Sequence, residues 1–244
     1  MTFFLLFKAH LKGWFSPWTR GAAALLGPCA LLFLLDFAGK RFRADYLLAD
    51  QALAAALLIG LCFAQARSSA QFHQDARSGS LRAKARLPMR SIWEYLSRIA
   101  CPFVYGALLC ALLWLCVLAS GASVRLRIIW CGAAMLCVLF HASLSVGAAS
   151  VFRGAGQRWF DALMLAEAVL LSGAVVSERL FSEAFYGVWR FTPSGSFKLL
   201  LSQALEGKAA LGDWLVPAGY ALFSLGFSLL FFRLIRKERH RPQG

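Results

Sequence analysis

The first residues to test are those that would handle a nucleotide. A phosphate cradle of the Gly-x-x-x-x-Gly-Lys-Ser/Thr type works because turn amides wrap the phosphates and the lysine reaches their outer oxygens. Gly-Lys occurs at Gly39-Lys40 and Gly207-Lys208, and the places that need the first glycine hold Leu34 and Ser202. ATP is therefore not this chain's own substrate by that route. Thiol and metal chemistry fare no better. Cys29, Cys62, Cys101, Cys110, Cys116, Cys131 and Cys137 all fall in apolar stretches with no Cys-x-x-Cys pair, which marks them as small packing residues. His10, His73, His141 and His240 share no ligand spacing, so neither a metal nor a cofactor is expected in this chain. Hydrolysis inside a membrane would need His-Glu-x-x-His or carboxylates facing a histidine. Glu167, Asp161 and His141 lack such spacing, and no catalytic residue is expected.

The elements that carry these residues follow from composition. Of 244 residues 59% are hydrophobic and 16% charged, against about a quarter charged in soluble domains. Uncharged stretches recur from end to end, which predicts an all-α polytopic membrane protein. A spanning helix needs about 20 apolar residues. Ile99 to Val124, Ile128 to Phe152 and Trp214 to Phe232 contain no Asp, Glu, Lys or Arg. Shorter apolar stretches, Gly21 to Leu35, Ala52 to Ala64 and Ala162 to Ser177, bring the expectation to six spans: 17–38, 47–66, 92–120, 127–152, 159–177 and 214–232. Ser16 and Pro17 suit the start of the first.

Six spans put both termini on one side. If that side is the cytoplasm, it holds 17 of the 26 Lys and Arg and the other side holds 9, the expected inward bias. The net charge of +14 then reads as orientation and attraction to anionic headgroups, not as nucleic-acid binding. Residues 1–15 alternate apolar and basic residues without a cleavage pattern, so no signal peptide is expected. Phe3, Phe4, Phe7, Leu11, Trp14 and Phe15 can share one face, predicting an amphipathic interfacial helix. Residues 233–244 form a basic cytoplasmic tail.

The longest cytoplasmic connection, 67–91, is the most informative. From Asp75 it runs through Ser78-Gly79-Ser80-Leu81 and a basic helix-forming stretch to Pro88, after which Ser91-Ile-Trp-Glu94 has capping-box spacing. A connection needs few residues, so this length predicts a docking surface; a solvated basic loop is the plainer alternative. Asp75, Gly79-Ser80-Leu81, Pro88 and Tyr95-Leu96 resemble the loop between the second and third spans of ABC-2-type transporter permeases, the transmembrane subunits of ABC exporters. The N-terminal helix, six spans, partly apolar segment before the last span and basic tail extend the resemblance over nearly the whole chain. Arg82, Lys84 and Arg86 depart from it, standing where that family more often has acidic or apolar residues.

The resemblance implies a bacterial plasma-membrane permease that works as a homo- or heterodimer with a second permease copy and a separate ATP-binding subunit. ATP and Mg would reside in that subunit. Asp75, Ser78, Gly79, Ser80, Leu81 and Pro88 would couple to it, with Arg153 and Arg158 as a second contact. Export of an amphipathic or hydrophobic substrate such as a drug, peptide or lipid-linked molecule is implied. An intramembrane enzyme, or a carrier or scaffold outside this family, remains the alternative.

Residues 178–213 mix aromatics with charge around the turn signal Thr192-Pro193-Ser194-Gly195. A helix, turn and helix that re-enters the membrane is expected, with Phe185, Trp189 and Pro193 at an outer gate; the alternative is an aromatic belt anchoring the last span. Within the spans, Glu167, Gln65 and His141 are candidates for the translocation path or a subunit interface. A glutamate held by a helix is the other reading of Glu167. Ser143 and Gly147 have the spacing for close helix approach.

Overall fold

The computed structural model describes residues 2–14, 18–42, 49–78, 91–119, 128–152, 154–172 and 182–239. Nine helices occur among them: α1 (Thr2–Trp14), α2 (Trp18–Phe42), α3 (Ala49–Arg77), α4 (Ser91–Ala119), α5 (Ile128–Val151), α6 (Ala155–Leu171), α7 (Glu183–Trp189), α8 (Pro193–Glu206) and α9 (Leu211–Arg239). No strand occurs among the described residues. Four helices contain stretches long and apolar enough to cross a membrane, at Ala52–Arg77, Ile92–Ala119, Ile128–Val151 and Leu211–Ile235. These lengths and compositions fit a membrane protein. In α2 the apolar stretch is Leu25–Leu35, and α6 has 17 residues.

The bundle is built around α3, which packs on α2, α4, α5, α6 and α8. Its apolar stretch is 83% buried, against 28% for that of α9. Alanines at 52, 54, 55 and 56 let neighbours approach, since small side chains bring helix axes together. Helices α5 and α9 pack along their length. A Cβ on Gly147 would lie 2.8 Å from Phe227 Cδ1 and 3.1 Å from Ser228 Cα, and Ser143 Oγ lies 2.6 Å from Ser224 Oγ. The Ser143–Gly147 spacing thus sits at a close helix crossing. Tyr95 ties α4 to the same seam, its hydroxyl donating to Leu225 O at 3.1 Å and lying 2.6 Å from Ser228 Oγ. Outward, Leu211, Leu215 and Leu222 of α9 and Trp159 and Leu163 of α6 leave large apolar side chains exposed.

Several boundaries differ from the sequence expectation. The helix expected over 47–66 runs on to Arg77, so residues 67–77 are helical. The polar run Ser68-Ser69 lowers hydropathy, yet both serines are buried against α5: Ser69 Oγ donates to Ser145 O and Ser145 Oγ to Ser68 Oγ. Likewise α9 continues from the expected 214–232 to Arg239, making the start of the basic tail helical. The N-terminal helix forms as expected, but its buried stripe is Leu6, His10 and Trp14 at spacing i, i+4, i+8, whereas Phe4 is 72% exposed. That stripe packs on α4 and α3. A helix, turn and helix do occupy 183–206. The expected coupling residues Gly79, Ser80, Leu81, Pro88 and Arg153, with Arg82, Lys84 and Arg86, lie outside the described residues.

Candidate functional site

Between the end of α3 and the start of α6 lies an open cavity of about 1060 Å³. Ala66, Ala70, His73, Gln74, Arg77 and Ser78 line it from α3, and Gly154, Gln157, Arg158 and Asp161 from the start of α6. Small side chains at 66 and 70 leave the space open. Gly154, at φ 57°, lets the chain turn from α5 into α6 without the cost that a Cβ imposes in the left-handed region. Gln157 and Asp161 lie one turn apart, and Gln157 Nε2 donates to Asp161 Oδ1 at 2.9 Å. Gln157 is 4% exposed and its Oε1 is buried without a hydrogen-bond partner. Opposite, the Gln65 amide nitrogen is buried without a partner and lies within electrostatic reach of the Asp161 carboxylate.

Past Gln65 the polar line continues inward: His141 Nδ1 lies 3.1 Å from Gln65 Oε1, and His141 is buried. The structure thus brings together two of the three residues singled out as a path, Gln65 and His141, and adds Asp161 and Gln157.

Glu167 has another setting. Its carboxylate accepts from Ser194 N at 2.8 Å and also from Ser194 Oγ, at the second position of α8. Thr192 is the N-cap, donating to Trp189 O and accepting from Gly195 N at 3.1 Å, and Pro193 opens the helix. A carboxylate there meets the positive end of the helix. Trp189, 1% exposed, donates from Nε1 to Leu171 O at 2.8 Å, and Lys198 stands 5.5 Å over its ring. Of the residues expected at an outer gate, Trp189 and Pro193 are joined at one hairpin corner. Phe185 is on α7, where its backbone N donates to Ser182 Oγ, and its side chain is exposed.

A third cluster joins α1, α3 and α4. Arg98 Nη2 donates to Asp75 Oδ2 at 2.9 Å and lies 3.4 Å from Glu94 Oε1, with its guanidinium 4.9 Å over the Phe72 ring. His10 Nε2 is 3.9 Å from Asp75 Oδ2, and its Nδ1 is 3.2 Å from Ser97 Oγ. Gln71 donates to His10 O at 3.1 Å and Arg67 Nε to Trp14 O at 2.8 Å. Asp75, expected to face a partner subunit, is held by Arg98, and Ser78 Oγ donates to Asp75 O at 3.2 Å. Ser78 and Arg158 face each other across the cavity mouth.

Sequence reasoning missed Gln157, Arg77, Arg98, Glu94 and His10 as site residues. The Gln157–Asp161 spacing is a usable signal, being i, i+4 at the start of a mostly apolar helix. Nothing local links positions 10, 75 and 98. No protein-family model matches this chain, and no curated protein and no solved structure is significantly similar to it.

Proposed function

We propose that the chain is the permease subunit of an ATP-driven transporter in a bacterial plasma membrane, with six spans and both termini cytoplasmic. The observation that carries this reading is the Asp75–Arg98 pair. It fastens the end of α3 to the start of α4, the two helices that flank residues 79–90. A force applied by a docked ATPase to that connection passes to both helices at once, as a rigid-body displacement. Because α3 also lines the cavity, its movement changes the space between α3 and α6. In this reading the cavity is the cytoplasmic mouth of the path, Gln65 and His141 continue it, and the α7–α8 corner with Trp189 and Pro193 re-enters the outer leaflet. A second permease copy completes the transporter, and export of an amphipathic molecule is the direction expected.

The test is purification of the tagged full-length chain from its native membrane in mild detergent. An ATP-binding subunit should co-purify, and flux in reconstituted vesicles should require ATP and not an ion gradient. Purification without any ATPase, together with flux that follows an ion gradient, refutes the reading.

A further inference from the structure

The chemistry of the α3–α6 cavity is asymmetric along its depth. Its inner wall presents acceptors. Gln157 spends an N–H on Asp161 Oδ1, and both side chains line the space, Gln157 with its Oε1 buried and partnerless. A buried acceptor without a donor carries a desolvation penalty that a ligand N–H or O–H would remove. The mouth presents donors: Arg77 from the end of α3 and Arg158 from the first turn of α6, both exposed. Arginine there suits an oxyanion such as phosphate. Between them Ala66 and Ala70 supply an apolar, uncrowded wall.

We propose that this cavity binds a zwitterionic phospholipid headgroup of the phosphoethanolamine class, phosphate on Arg77 and Arg158 and ammonium on Asp161 and Gln157. A headgroup with only negative charge would bring no cation to the Asp161 carboxylate. A quaternary ammonium has no N–H to give them. As a substrate class the assignment rests on the permease reading; as a binding site it does not. The acyl chains leave past the exposed apolar flank of α6, where Trp159 is 77% exposed.

Full-length protein, purified without any ATPase, is titrated in detergent with phosphatidylethanolamine and with phosphatidylcholine of identical chains, and bound lipid is read by native mass spectrometry. Loss of charged N–H bonds makes the choline lipid bind about ten-fold more weakly or worse. Asp161→Asn and Gln157→Leu each shrink that preference to about two- or three-fold, while Arg77→Gln with Arg158→Gln weakens both lipids alike. Ala70→Trp, which fills the cavity from α3, abolishes binding of both. Glycerophosphoethanolamine should compete, and inorganic phosphate should compete only weakly. Equal affinity for the two lipids in the unaltered protein overturns the proposal, as does an intact preference in Ala70→Trp. Full competition by inorganic phosphate with no preference identifies a plain phosphate site and also overturns it. Lipid preference without ATP-driven flux would sink the permease reading alone; ATP-driven flux without lipid preference would sink this one alone.

Discussion

Replacing Glu167 separates its two readings, as a path residue and as the group that caps α8. In the structure its carboxylate accepts two hydrogen bonds from Ser194, whose backbone N–H is buried at the second position of the helix. Glu167→Leu leaves that N–H without an acceptor, a cost of about 1–3 kcal/mol. It also removes an anion from a helix N-terminus, about 0.3–1 kcal/mol and up to about 2 when partly buried. Together the loss is about 1–5 kcal/mol. Glu167→Gln keeps one acceptor and should lose about 1 kcal/mol. Reversible unfolding in mixed detergent micelles, followed by circular dichroism over a dodecyl sulfate titration, would rank the unaltered protein above Gln and Gln above Leu. Ser194→Ala in the Glu167→Leu background should cost less than Ser194→Ala alone, with a coupling of about 1 kcal/mol. Replacing a buried ion by an apolar group can also stabilise. A Glu167→Leu variant as stable as the parent but without flux would refute the capping argument and return Glu167 to the path.

Two further outcomes follow from the packing. Arg98→Met takes the guanidinium away from the Asp75 and Glu94 carboxylates and should cost about 3–5 kcal/mol; since Asp75 also faces His10, α1 loosens, and trypsin should cut at Lys8 and Lys12 well before it does in the parent. Gly147→Val drives a side chain into Phe227 and the Ser228 backbone, so the dodecyl sulfate midpoint should fall by the equivalent of about 1–3 kcal/mol. An unchanged midpoint would mean that α5 and α9 do not meet there.

How much was legible depended on whether the signal was local. The apolar runs of α4, α5 and α9 need only length and composition, and Ser91 does begin α4. Thr192-Pro193-Ser194-Gly195 marks the break between α7 and α8 as a turn signal, and in the structure Thr192 caps α8 and Pro193 opens it. Hydropathy failed at Ser68 to Arg77, since the helix there is stabilised by α1, α4 and α5 and not by lipid, so polar residues are tolerated where they find partners. The stripe of α1 was misassigned for the same reason: His10 looks solvent-facing until Ser97 and Asp75, far away in sequence, supply its surroundings. Asp75 was singled out from a loop motif, whereas its contacts come from Arg98.

The near-complete enclosure of α3 bears on how the chain is made. Five of its first eight residues are alanine, and polar residues crowd its second half, so its partition into lipid by itself is weak. Apart from α2, the helices that enclose it, α4, α5, α6 and α8, are all synthesised later. Insertion and folding are therefore not separable stages for this segment: α3 must be retained at the insertion machinery, or held by α2, until α5 emerges. Destabilising substitutions along the α3–α5 seam should accordingly appear first as defects of membrane biogenesis and quality control, before any effect on the assembled bundle.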